Sequence, residues 1–151
     1  PVMFTKFTTA LLPHGGEITW LPQTTQKVDY EAELAVIISK KATQVAEEEA
    51  MDYVAGYTIA NDVSARDAQF ADEQWVRGKS FDTFCPIGPF VVTADSLPDP
   101  HTLDIQCRVN GVTLPSFPGG VVTMTFLTPA TFAGVQFIMR LLGYAAFPPG
   151  T

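Results

Sequence analysis

The chain has 151 residues, 46% of them apolar and 17% charged, with 11 Phe, which suits one compact domain with ample material for a core and excludes disorder. Lys plus Arg total 9 against 16 Asp plus Glu, a net charge of −7 that repels nucleic acid and anionic membrane surfaces. No apolar run approaches the roughly 18–20 residues of a membrane span, and no signal-peptide pattern opens the chain, so a soluble intracellular protein is expected.

In chain order, residues 18–21 are expected to form a short strand. Tyr30 to Ile38 alternate as a longer one, with Ala32, Leu34, Val36 and Ile38 on one face and Glu31, Glu33, Ala35 and Ile37 on the other. Val45 to Tyr53 reads as a short helix, with Glu47, Glu48 and Glu49 near its positive N-terminal end. Val54 to Ala60 is the next strand and gives way to a loop at Asn61-Asp62, after which Ser64 to Asp67 match a capping box that opens a helix. Pro89 to Thr93 and Leu103 to Val109 are further strands, and Asn110-Gly111 supplies the positive-φ pair of a tight hairpin. Thr128-Pro129 and Gly143 bracket a helix over residues 129–142. Strands that are not separated by regular helices imply an α+β fold with a mixed or rolled sheet. Cys85 and Cys107 stand in no metal-ligand spacing and read as free thiols in a reducing compartment. His14 and His101 read as loop histidines, since nothing pairs either with a nucleophile.

Glu31 and Glu33 carry the first chemical signal. Two apart in a strand, they project from one face with Cα atoms about 7 Å apart. Converging carboxylates repel unless a cation lies between them, and hard divalent ions such as Mg²⁺ take oxygen ligands of this kind. Asp62, at the end of the next strand, is a natural third ligand. The spacing by itself also fits the wet face of an amphipathic strand.

Asn61 to Asp67 spells Asn-Asp-Val-Ser-Ala-Arg-Asp, and Arg77 to Pro89 spells Arg-Gly-Lys-Ser-Phe-Asp-Thr-Phe-Cys-Pro-Ile-Gly-Pro. With Asp29 to Ile38, Met51 to Tyr57 and Val109-Asn-Gly111, these segments resemble the fumarylacetoacetate hydrolase family, in order and across the whole chain. The resemblance implies a strand-rich mixed β-roll with few helices, bound Mg²⁺ or Mn²⁺, a homodimer, and cleavage or decarboxylation of small 1,3-dicarbonyl acids. It assigns the metal carboxylates to Glu31, Glu33 and Asp62. Lys79 of the Lys-Ser-Phe motif is then the catalytic cation that holds a substrate carboxylate or a developing enolate. Gln69 stands where some members place a substrate-binding amide, and Thr83 where some place an oxygen near the lysine. Arg66, inside the motif, is open to two readings, a substrate contact or a structural ion pair.

The departures from the family pattern set further expectations. The upstream segment that carries a lid His and Glu is expected to lie outside this chain, as is the closing strand and Thr-Gly-Thr-Pro loop beyond Thr151. The chain thus reads as a single domain, 1–151, truncated at both ends relative to the family. Pro115 and Val121 replace a Gln and a Thr common in the family.

Residues 105–151 hold no acid and only Arg108 and Arg140 as bases. So apolar a stretch is expected to meet a second subunit. The leading functional expectation is hydrolysis of a C–C bond in an acylpyruvate-like 2-oxo or 1,3-diketo acid. The alternatives are oxaloacetate decarboxylation or tautomerisation, or a non-catalytic metal- or ligand-binding fragment. A cytoplasmic location is expected, or a mitochondrial one if a transit segment has been removed.

Overall fold

Two apolar runs, 32–38 and 54–61, organise the architecture, because β-branched and aromatic side chains on a pleated backbone are stable only when both strands find neighbours. The computed structural model describes residues 3–71, 73–114 and 124–127. In chain order the strands are β1 (Leu11–Pro13), β2 (Val28–Asp29), β3 (Ala32–Ile38), β4 (Val54–Asn61), β5 (Ser64–Ala65), β6 (Cys85–Thr93), β7 (Cys107–Val109), β8 (Val112–Leu114) and β9 (Met124–Leu127). Two short helices, α1 (Arg66–Ala71) and α2 (Trp75–Lys79), lie between β5 and β6.

Five strands form one sheet in the order β1-β6-β4-β3-β9. Its outer pairs, β1 with β6 and β3 with β9, are parallel, while the inner pairs, β6 with β4 and β4 with β3, are antiparallel. The sheet is therefore mixed and the helices among the described residues few, as the α+β expectation requires. Gly56 permits the close approach of β4 to β6, since a Cβ there would lie 2.2 Å from the carbonyl oxygen of Val92.

One face of β3 builds the main core. Leu34, Val36 and Ile38 pack with Ala50, Val54 and Tyr57, and with Leu97 and Ile105 from the chain after β6. A second cluster, Val63, Ala65, Ala68 and Phe84, sits beyond the end of β4 and anchors α1. Between the two clusters lies the end of the β3–β4 hairpin, where the polar side chains gather.

Several expected elements differ. Residues 18–21 form no strand; Ile18 packs on the second cluster, and Thr19 bonds through its backbone to Thr83. The segment before β4 is a 3₁₀ helix, Glu47–Tyr53, whose boundary residue Ala46 has no capping side chain. Strand β6 begins at Cys85 rather than Pro89 because β1 pairs with its first three residues. The strand expected from Leu103 is reduced to Cys107–Val109, the residues the short β7–β8 hairpin can pair. Asn110 (φ 51°) and Gly111 (φ 80°) make its turn as expected. The helix over 129–142, Pro115 and Val121 lie outside the described residues, as does most of the apolar run of 112–142. Cys85 and Cys107 are free, as expected. No helix among the described residues is long and apolar enough to cross a membrane.

Candidate metal centre

The register of β3 on β4 assembles the three carboxylates. Ala32 pairs with Asn61, so the ladder continues one step to set Glu31 beside Asp62. Two contacts fix this extension: the Asp62 amide donates to the Glu31 carbonyl at 2.9 Å, and the Glu31 amide donates to Asn61 Oδ1 at 3.1 Å. Glu33, two residues on, shares the Glu31 face. One carboxylate oxygen from each of Glu31, Glu33 and Asp62 lies within 4.8 Å of the others. Glu33 and Asp62 are only 2% and 1% exposed, so this is not the wet face of a strand. Charged-oxygen donors in a buried cluster are the donor set that Mg²⁺ or Mn²⁺ would take, and Glu31, Glu33 and Asp62 would hold it.

Among the described residues, Lys79, Arg66 and Lys6 bring positive charge to the carboxylates. Lys79, the last residue of α2, is 1% exposed; its ammonium lies 2.7 Å from Asp62 Oδ2 and 3.0 Å from Glu31 Oε2. Gly78 makes this depth attainable, because a Cβ at that position would stand 2.6 Å from the backbone nitrogen of Gln69. The two helices therefore touch backbone to backbone, and Lys79 reaches the strand ends. Arg66 opens α1 and bridges Glu31 Oε1 (2.7 Å) and Asp29 Oδ2 (2.8 Å). Partial burial would lower its pKa, but hydrogen bonds to Asp29 and Glu31 outweigh that and hold it above the ordinary arginine value. The third cation, Lys6, pairs with Asp62 Oδ1 and donates to the Val63 carbonyl at 3.2 Å.

Of the residues singled out from the sequence, Glu31, Glu33, Asp62, Lys79 and Arg66 come together. Gln69 joins them at one remove: it is buried, and its amide oxygen accepts from Arg66 Nη1 at 2.9 Å. Thr83 does not reach the cluster through its hydroxyl, which accepts from the Thr19 amide at 3.0 Å and donates to the Thr19 carbonyl at 3.2 Å. The capping box is not formed. Ser64 Oγ donates to the Asp62 carbonyl, and the Asp67 carboxylate accepts from Thr25 Oγ1 (2.5 Å) and the Gln26 amide (3.0 Å), pinning the loop before β2 onto α1. Sequence reasoning missed Lys6 and Phe4, whose ring centroid lies 5.0 Å from the Lys79 ammonium. Both sit in an unpatterned stretch ahead of β1, with only tertiary contacts to reveal them. Cys85 also borders the site; burial pushes its thiol above the usual range, a shift that Lys6 opposes and that Asp62 and Glu33 reinforce.

A family model described as the C-terminal region of fumarylacetoacetate (FAA) hydrolase matches residues 1–142. The chain belongs to the fumarylacetoacetate hydrolase family. Its similarity to the mitochondrial oxaloacetate tautomerase FAHD2A of Homo sapiens is 46% identity over 156 aligned positions, covering 99% of this chain and 49% of that protein. Among solved structures it resembles a fumarylacetoacetate hydrolase from psychrophilic Exiguobacterium antarcticum, with 43% identity and a TM-score of 0.71 over 74% of this chain and 40% of the other. It also resembles a 2-hydroxyhepta-2,4-diene-1,7-dioate isomerase from Mycobacterium marinum, with 40% identity and a TM-score of 0.62 over 75% and 43% of the two chains. The chain spans about half the length of the curated relatives it matches. Hydrolase, isomerase and tautomerase names thus all attach to relatives of this family member.

Proposed function

We propose that the chain carries the metal-binding core of an enzyme acting on a small 2-oxo acid, and that keto–enol tautomerisation of an oxaloacetate-like substrate is its best-supported reaction. One observation carries this reading: a buried ammonium, Lys79, touches two members of a three-carboxylate cluster. Glu31, Glu33 and Asp62 would hold Mg²⁺ or Mn²⁺, which when bound supplies Lewis acidity toward a 2-oxo carboxylate. Lys79 presents a fixed positive charge beside that position, where negative charge on an enolate oxygen is stabilised without reorganisation. Gln69 offers an amide donor for the substrate, and Arg66 holds both Gln69 and Glu31 in place.

Tautomerisation moves a proton between the carbon next to the carbonyl and the carbonyl oxygen, and breaks no C–C bond. The human relative named an oxaloacetate tautomerase, matched over 99% of this chain, supports it. C–C hydrolysis of an acylpyruvate-like acid is the second reading, favoured by the likeness to the Exiguobacterium hydrolase. It adds the demand for an activated water. The mitochondrial name of the human relative supports that compartment over the cytoplasm. We further propose a homodimer, supported by the exposed Ile59, Phe90 and Val91 on neighbouring strands β4 and β6; light scattering that gives a monomer mass at micromolar concentration removes it.

The deciding assay follows the decay of enol oxaloacetate by ultraviolet absorbance, and acylpyruvate cleavage in parallel, with Mn²⁺ and with chelator. Accelerated enol decay that chelator abolishes is the expected result. Acylpyruvate cleavage alone selects the second reading, and Mn²⁺ binding with neither activity selects a non-catalytic module.

A further inference from the structure

Asp62 is served by two ammonium groups, one on each carboxylate oxygen. Lys79 takes Oδ2, the oxygen shared with the Glu31 side of the cluster. Lys6 takes Oδ1 and at the same time donates to the Val63 carbonyl, the next residue along the backbone. With Lys6 on Oδ1 and Lys79 on Oδ2, the Asp62 carboxylate cannot turn without breaking two charge-assisted contacts, and the Val63 carbonyl in turn holds Lys6 in place.

Lys6 does not arrive there as a loose surface lysine. Its segment is docked on α2 and the residue after it. The Phe4 ring packs on Trp75 at a centroid distance of 5.6 Å and lies over the Lys79 ammonium. The Phe7 amide donates to Ser80 Oγ at 3.2 Å, and Ser80 Oγ donates to the Thr5 carbonyl at 3.4 Å. The Lys6 side chain is 10% exposed. Residues 4–7 thus form a strap tied on either side of Lys6 to the element that carries Lys79.

We infer that Lys6 is a positioning residue: by anchoring Oδ1 to the Val63 peptide it fixes the orientation in which Asp62 presents Oδ2 to Glu31 and Lys79. Its link to metal binding rests on the reading of Glu31, Glu33 and Asp62 as ligands. Lys6 acts on the Asp62 oxygen that Lys79 does not take, so its loss frees that end of the carboxylate to turn as well as removing a charge. Partners that orient a ligand from behind are worth about tenfold to a hundredfold in metal affinity.

The test pairs isothermal titration of the full chain with Mn²⁺ and crystal structures of the same proteins. Lys6→Met is expected to weaken Mn²⁺ binding about tenfold or more and to leave Asp62 rotated. Lys6→Arg, which keeps charge and donors, should remain within about threefold of the parent. If Lys6→Met does not fold, Lys6→Gln, with a neutral donor, takes its place with the same expected direction. Unchanged affinity with only a lower melting temperature overturns the inference, because Lys6 is then merely structural. Tighter Mn²⁺ binding overturns it as well, since Lys6 is then only a repelling charge. A parent chain that binds no Mn²⁺ refutes the metal reading instead, and the orientation of Asp62 in the variant crystal still decides the role of Lys6.

Discussion

The Lys79 ammonium donates to Asp62 Oδ2 at 2.7 Å, joining the end of a helix to the end of a strand with both side chains at most 2% exposed. Breaking a buried ion pair from one side commonly costs about 3–5 kcal/mol, because the remaining charge is stranded. Here Asp62 keeps Lys6 and Glu31 keeps Arg66, so loss of Lys79 leaves neither carboxylate alone.

Lys79→Met is therefore expected to fold and to bind Mn²⁺ at least as well as the parent, since a cation facing the triad has been removed. Turnover should fall by about 10²–10³, the usual loss when a preorganised charge-stabilising group is deleted. Calorimetry and the enol-decay assay on one preparation check both halves. Parent-like turnover removes Lys79 from the chemistry.

Glu33→Gln replaces one anionic oxygen ligand by a neutral amide at a buried position. Divalent affinity is expected to drop by more than about tenfold, as it does when ligand charge is reduced, and activity should fall with it. Mn²⁺ titration followed by electron paramagnetic resonance measures the bound fraction directly. Undiminished binding would falsify the triad.

Gly78→Ala tests how Lys79 is delivered. The new Cβ would stand 2.6 Å from Gln69 N and 2.7 Å from Gln69 Cα, contacts that only a shift of helix against helix relieves. Overpacking of this kind costs about 1–3 kcal/mol, to be read from urea unfolding. Because the shift carries Lys79 with it, kcat should fall more than the small chemical change suggests. A variant with parent stability and kcat means the two helices yield easily.

Asp67 sets an acid-side dependence. Its hydrogen bond from Thr25, followed by that from the Gln26 amide, holds its carboxyl below the ordinary value. A depressed carboxylate contributes stability that is present above the unfolded pKa, about 3.9, and is lost as pH falls through the folded value. Asp67→Asn should therefore unfold at a lower temperature near neutrality but show a flatter decline below about pH 4. Parallel acid limbs in parent and variant, by differential scanning calorimetry, would show that Asp67 adds no pH-dependent stability.

Much of the architecture was legible in local pattern. The 32–38 and 54–61 runs are long enough for alternation and β-branching to mark them as strands, and Asn110-Gly111 marks its turn because few other pairs accept positive φ at both positions. The Glu31–Glu33 spacing put both carboxylates on one face before any pairing was known. The motifs around Asp62 and Lys79 carried the family resemblance, which the match over residues 1–142 bears out.

What only the tertiary structure decided lies in contacts whose partners are far apart in the chain. Residues 18–21 have strand composition but pair with no strand among the described residues, and Thr19 instead meets Thr83 across 64 positions. Ser64 and Asp67 have capping-box spacing, yet Thr25 and the Gln26 amide compete successfully for the Asp67 carboxylate. Lys6 finds Asp62 across 56 positions. Periodicity and capping rules describe neighbours within a turn or two, whereas the pairing of a buried charge is settled by which opposite charge the folded chain brings within reach of it.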